Sequence, residues 1–303
     1  MNPFYLGELL ALGVSVCDAA CCSLLNHVEK RAAVFTVNYI KLLFAAAAMT
    51  VLRLLFTGTL AVPDLPPAAL LWLTVSGLIG YVLGDMFYFA SFRHIPYRLS
   101  MVIFCTHPIV TTLAALLLFR QHITPMQFLG ILLTICGTLT ALLCGGKNRG
   151  TDGGGNRMLG VLFAFLGMLG QGVSVLFSSQ AMALMGEFPG KTLLCSQLRQ
   201  LAAIAGFTVL GFIRRDWPRL RADLHIPHAL PLLALGGLSG CAIGTTLLLR
   251  SIAFIPIGIA SALSSISPIL VIPISIVCFK DRIRLPEILG VCVTVGGIVL
   301  LSL

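Results

Sequence analysis

Charge is what this sequence has least of. Only 10% of its 303 residues are Asp, Glu, Lys or Arg, against 58% hydrophobic residues and a mean hydropathy of +1.00. Soluble domains carry about a quarter charged residues, so this scarcity excludes a water-soluble globular class and points to a bilayer. Acidic residues are the rarer sign, 11 against 20 basic ones, which leaves a formal net charge of +9. The excess does not indicate a nucleic-acid partner, because Lys and Arg fall mostly in short connections between apolar runs and form no basic face. The ten cysteines include no C-x-x-C pair, and no histidine stands at a spacing suited to zinc. Almost all lie inside apolar runs and read as small packing residues. No basic stretch precedes the first apolar run, the first cation being Lys30, so that run is expected to be a retained span and not a cleaved signal.

What the chain does have is long apolar runs. About 20 such residues cross a hydrocarbon core as a helix. By that measure the sequence predicts ten transmembrane helices, near 5–25, 33–57, 67–92, 96–119, 124–144, 158–182, 191–213, 229–250, 256–278 and 284–302. A polar, glycine-rich linker at 147–157 separates a first unit, 1–146, from a second, 158–303. The two units repeat one plan. An offset of 160 carries Gly77, Gly80, Gly84, Ser91, Ile95-Pro96, Pro108, Phe119-Arg120, Gly130 and Gly137 onto Gly237, Gly240, Gly244, Ser251, Ile255-Pro256, Pro268, Phe279-Lys280, Gly290 and Gly297. The first spans align at 153, pairing Asp18 with Gln171, and the second at 158, pairing Lys41 with Arg199. A repeat with an odd number of spans enters the membrane from opposite sides on its two passes. The expected fold is therefore all-α integral membrane, two five-helix inverted repeats with a site between them near the midplane.

Ionisable side chains at membrane depth are costly, and each is a functional candidate. Asp18, Lys41, Asp85, His107 and Arg199 lie well inside their spans. Asp18, with its polar counterpart Gln171, is read as cavity-lining. Asp85 either lines the cavity or forms a buried ion pair with Lys41 or Arg199, and the two cations are read as structural charges. His107 is either a proton carrier or a hydrogen-bonded core histidine. Pro108 and Pro268 interrupt equivalent spans, releasing the carbonyls of Phe104 and Ser264 to a protein donor or a polar ligand, or else merely bending helices. Tyr88, Thr245, Ser264 and Ser267 complete the candidate substrate-binding set. A carboxylate in a low-dielectric cavity can take up a proton, so Asp18 and Asp85 are the candidate coupling residues. Gly80/Gly84 and Gly240/Gly244 are small-xxx-small pairs for helix packing. Gly130, Gly137, Gly290 and Gly297 form one glycine face on the fifth and tenth spans, for contact between halves or subunits.

Two enzyme motifs fall short. Gly186 to Thr192 resembles a phosphate loop, but its glycine is one residue too close and no strand precedes it. Gly84-Asp85 lacks the first glycine of G-x-G-D, since Val82 stands there. With no acid pair, nucleophile-base pair or metal cluster in the sequence, an enzyme is not expected.

One set of motifs remains: Gly84 to Ala90 leading to Ile95-Pro96, Pro108, Leu118 to Thr124, Gln127 to Gly130, and the corresponding Pro268, Phe279 to Ile283, Glu287 to Gly290 and Gly297. By these residues the chain resembles the drug/metabolite transporter superfamily, in particular proteins with two EamA repeats. Departures are Gln121 and Asp281 where the family has glutamate, and Asp18-Ala19 and Gln171-Gly172 in place of Trp-Gly. The resemblance implies a secondary transporter, an exporter of small metabolites, amino acids or drugs by alternating access. It implies no cofactor, a small-molecule substrate and a bacterial inner (plasma) membrane location; protons are the candidate coupling partner, as a monomer or homodimer. A lipid-carrier flippase or membrane factor is the alternative. The resemblance also implies cytoplasmic termini. Charge counting gives the opposite orientation, because 14 basic residues fall in one set of connections and 4 in the other.

Overall fold

The computed structural model describes residues 3–111, 113, 124–144, 156–271 and 284–302, all of whose regular structure is helical. The helices are α1 (Pro3–Glu29), α2 (Val34–Thr57), α3 (Pro67–Ser91), α4 (Tyr97–Phe104), α5 (Pro125–Cys144), α6 (Arg157–Leu184), α7 (Lys191–Arg214), α8 (Trp217–Asp223), α9 (Ala229–Ile252), α10 (Ile257–Ser264) and α11 (Leu285–Ser302). Six of them, α1, α2, α3, α6, α7 and α9, are long and apolar enough to span a membrane, and shorter apolar stretches run over Phe128–Ala141, Ile257–Val271 and Ile288–Leu300. Residues 147–155 of the expected linker and the turns at Leu118 to Ile123 and Phe279 to Ile283 lie outside the described residues.

Local chemistry explains the ends. Pro67 starts α3 at a position where its missing N–H costs nothing. The Asn156 side chain caps α6 by accepting from the Met158 and Leu159 amides at 3.0 and 3.4 Å. Gly58 closes α2 in the left-handed region at φ 68°, its amide returning to the Leu54 carbonyl. After α4 and α10 the chain turns at Cys105-Thr106 and Ser265-Ile266, then resumes helix ahead of Pro108 and Pro268. The proline-released Ser264 carbonyl accepts from the hydroxyls of Ser15 at 3.0 Å and Ser267 at 2.8 Å, so its partner comes from within the protein.

Each half packs on the other by matched contacts. A Cβ on Gly7 would meet Ile255, and one on Gly160 would meet His94 and Ile95. Gly77 lies against the Arg199 carbonyl and Gly237 against the Lys41 carbonyl; Gly80 faces Ser174 and Gly240 faces Cys21. Gly137 abuts Thr294, and Gly297 abuts Thr134. Each pair interconverts under the offsets 160, 153 and 158 read from the sequence. Residue i on j together with j's mate on i's mate is the contact pattern of a two-fold axis. The glycine face of α5 and α11 is thus a contact between halves.

Both α3 and α9 carry a π-helical segment, Leu78–Gly84 and Gly237–Gly244. They lie where glycines let the backbone of α7 or α2 approach, and they end one residue before Asp85 and Thr245. Such insertions widen a turn and re-aim the side chains of the next turn, and they concentrate at functional sites.

Candidate functional site

Where α1, α3, α6 and α9 meet, a cavity of about 80 Å³ is lined by Asp18, Gln171, Lys41, Asp85, Tyr88 and Thr245, with Tyr81, Phe89, Phe104, Cys105 and other residues completing the wall. A second pocket of about 40 Å³ adjoins it through Asp18, Gln171, Phe104 and Thr245 and reaches His107 and Ser264. Of the residues singled out from the sequence, Asp18, Asp85, Gln171, Tyr88, His107, Thr245 and Ser264 therefore share one connected space. Pro108, Ser267 and Pro268 are buried near it but line neither pocket.

The charges divide into unlike environments. Lys41 Nζ is 2.7 Å from Asp85 Oδ2 and 3.9 Å from the Phe89 ring centroid, so this cation is paired, with an aromatic face beside it. Both readings of Asp85 coincide here: it is on the wall and in an ion pair. Thr245 stands at the position matching Asp85, so the acid that pairs with Lys41 has no counterpart for Arg199. Arg199 donates to Ser174 Oγ at 2.8 Å and lies over the Tyr81 ring at 5.3 Å, and it lines neither pocket. Asp18 has no hydrogen bond or ion pair among the described residues, and Gly244 leaves room beside it, since a Cβ there would stand 3.6 Å from Asp18 Oδ1.

The walls are braced by neutral contacts. Tyr88 stacks on Phe104 with centroids 4.0 Å apart and shares a 3.2 Å hydrogen bond with Cys22 Sγ. Tyr81 and Thr245 join their hydroxyls at 2.9 Å across the halves. Sequence reasoning missed this role for the cysteines, since Cys21, Cys22, Cys105 and Cys241 all stand at the cavity. The repeat held a signal, because Cys21 aligns with Ser174 and Cys241 with Tyr81, polar groups at the same depth.

The two ends of the molecule differ. At one end Glu29 is fully buried, with Arg93 Nε 3.4 Å away, and the Arg93 guanidinium also donates to the Ala32 carbonyl. Asp223, at the end of α8, accepts from the Ala33 amide and Thr36 Oγ1, each at 2.7 Å. Trp217 of α8 packs edge-on against Phe35 and Tyr39. The counterparts of Glu29, Val34 and Arg93 are Met182, Thr192 and Ala253, and these three line an open groove of about 910 Å³ at the other end. The Glu29–Arg93 ion pair thus lies at one end, and the uncharged counterparts of both residues border the open groove at the other.

Comparison with known proteins agrees with this architecture. The EamA-like transporter family model matches residues 5–143 and again 158–303, one copy on each half. A solved crystal structure superposes with a TM-score of 0.64 over 97% of this chain and 95% of its own, at 17% identity, a likeness in fold alone. No curated protein matches the chain. With two matched repeats spanning nearly its whole length, the chain belongs to the EamA-like transporter family.

Proposed function

We propose that this membrane protein is a secondary transporter that exports a small metabolite by alternating access, its ten spans forming two inverted five-helix repeats divided at 147–157. The observation that carries the reading is the pairing of reciprocal halves with unequal ends. A two-fold related pair around a buried polar cavity has two states of similar construction, each open at one mouth. The latch at Glu29, Arg93 and Asp223 closes one mouth while the groove beside Met182, Thr192 and Ala253 serves as the vestibule of the other. Asp18, without a hydrogen-bond or ion-pair partner among the described residues, is the better candidate for proton coupling, because Asp85 is engaged by Lys41.

Solute counterflow in proteoliposomes tests this reading. Wild-type protein is expected to exchange a labelled metabolite against its unlabelled form, with a pH dependence lost in Asp18→Asn. Transport whose pH dependence survives in both Asp18→Asn and Asp85→Asn would refute the coupling. A second reading, a lipid-carrier flippase, draws on one feature: the groove combines apolar Phe56, Met182 and Phe188 with the cations Lys191 and Arg250. Scrambling of a fluorescent anionic lipid, without metabolite exchange, would favour it.

A further inference from the structure

We infer that the cavity is a binding site for a small organic cation, a short-chain amine held by Asp18 against the Tyr88–Phe104 ring pair. The inference rests on the transporter reading only for its cargo role; the binding itself is independent. Among the described residues, the acidic and basic side chains that line the space are Asp18, Asp85 and Lys41. Lys41 and Asp85 cancel at 2.7 Å, and Lys41 is further engaged by the Phe89 face. The lining is therefore left with one unbalanced carboxylate. Arg199 is not at the wall: its Nη2 donates to Ser174, its Nε has no hydrogen-bond partner among the described residues, and its guanidinium lies over the Tyr81 ring without lining either pocket. His107, in the adjoining pocket, has a buried Nδ1 with no hydrogen-bond partner and bears on the space only from its far end.

A carboxylate in low dielectric without a donor calls for a cation that brings its own hydrogen bonds, which an ammonium does. The aromatic part of the same lining suits this ligand. Tyr88 and Phe104 stack at 4.0 Å, and ring faces attract cations where water is excluded. Gln171 and Thr245, lining both pockets, offer oxygen acceptors for the remaining ammonium protons. Size narrows the class further. Pockets of about 80 and 40 Å³ fall well below the roughly 300 Å³ at which drug-sized ligands begin to fit. An amine of a few carbons is the scale they admit.

Calorimetric titration of the purified protein in lipid nanodiscs decides the matter with three probes of one size: n-propylammonium, propionate and propionamide. Propylammonium is expected to bind wild type while the two others do not, and its affinity should fall about tenfold or more in Asp18→Asn and recover in part in Asp18→Glu. Propionate or propionamide binding more tightly than propylammonium, equal propylammonium affinity in Asp18→Asn, or no propylammonium binding at all would each overturn the inference. The wild-type comparison stands even if Asp18→Asn fails to fold. Exchange of neutral or acidic solutes by a protein that does not bind propylammonium sinks this inference and leaves transport intact. Propylammonium binding with no flux of any solute does the reverse.

Discussion

Among individual residues, the Lys41–Asp85 pair has the largest consequence for stability. Lys41 is 1% exposed and its ammonium is held at 2.7 Å. Removing only the acid strands a buried cation, a change that costs about 3–5 kcal/mol in comparable pairs, whereas replacing both partners by apolar residues of similar volume is often neutral. Asp85→Asn should therefore lower the unfolding midpoint sharply, and Lys41→Met with Asp85→Leu should restore most of it, as followed by denaturant unfolding in detergent. A double variant as unstable as Asp85→Asn would contradict the pairing. The contrast with Arg199 was visible in the sequence, since Asp85 aligns with Thr245 and Lys41 with Arg199. Which cation Asp85 would choose was not, because either could reach it and only the packing of α2 against α3 and α9 decides.

For the helices, close approach of backbones does the work that apolar burial does in water, since lipid gives helices little hydrophobic reason to associate. α5 and α11 show this best. Gly137 lies against Thr294 and the Gly290 carbonyl, Gly297 against Thr134 and the Gly130 carbonyl. A leucine at position 137 must push the partner backbone away, and overpacking of this kind costs about 1–3 kcal/mol. Gly137→Leu should lower the thermal midpoint of the detergent-solubilised protein, while Leu139→Ala, on the exposed side of the same helix, should leave it nearly unchanged. The glycine and proline register at 160 made this contact readable and placed Asp85 and Thr245 at matching depth, while the offset of 153 in the first spans did so for Asp18 and Gln171. The π-helical segments were not readable. One surplus residue inside a uniformly apolar, glycine-rich run leaves no mark on hydropathy, and the segments emerge only when a partner backbone fills the space over Gly77 and Gly237. Glu29, Arg93 and Asp223 escaped for another reason: charges near span ends read as topology signals, and their convergence depends on where α8 docks.

Over the whole molecule, the proposed transport reading makes the Glu29–Arg93 latch the contact that sets which mouth is open. Glu29 forms its ion pair with Arg93 at 3.4 Å without a hydrogen bond to either carboxylate oxygen among the described residues, and the Arg93 side chain is 38% exposed, so the contact is loose and partly screened. Losing about 1 kcal/mol there changes the ratio of the two states about fivefold. Arg93→Ala should accordingly raise alkylation of the cavity thiol Cys22 by an impermeant maleimide applied from the latched side, by about that factor. Unchanged labelling from that side would remove Arg93 from the gate. α8 then carries a kinetic meaning. Two related halves would by themselves give opposing conformers of equal energy and an unbiased turnstile. On the proposed transport reading, Trp217 and Asp223, which brace one end among the described residues, would lift that degeneracy before any solute arrives and point the resting protein in one direction.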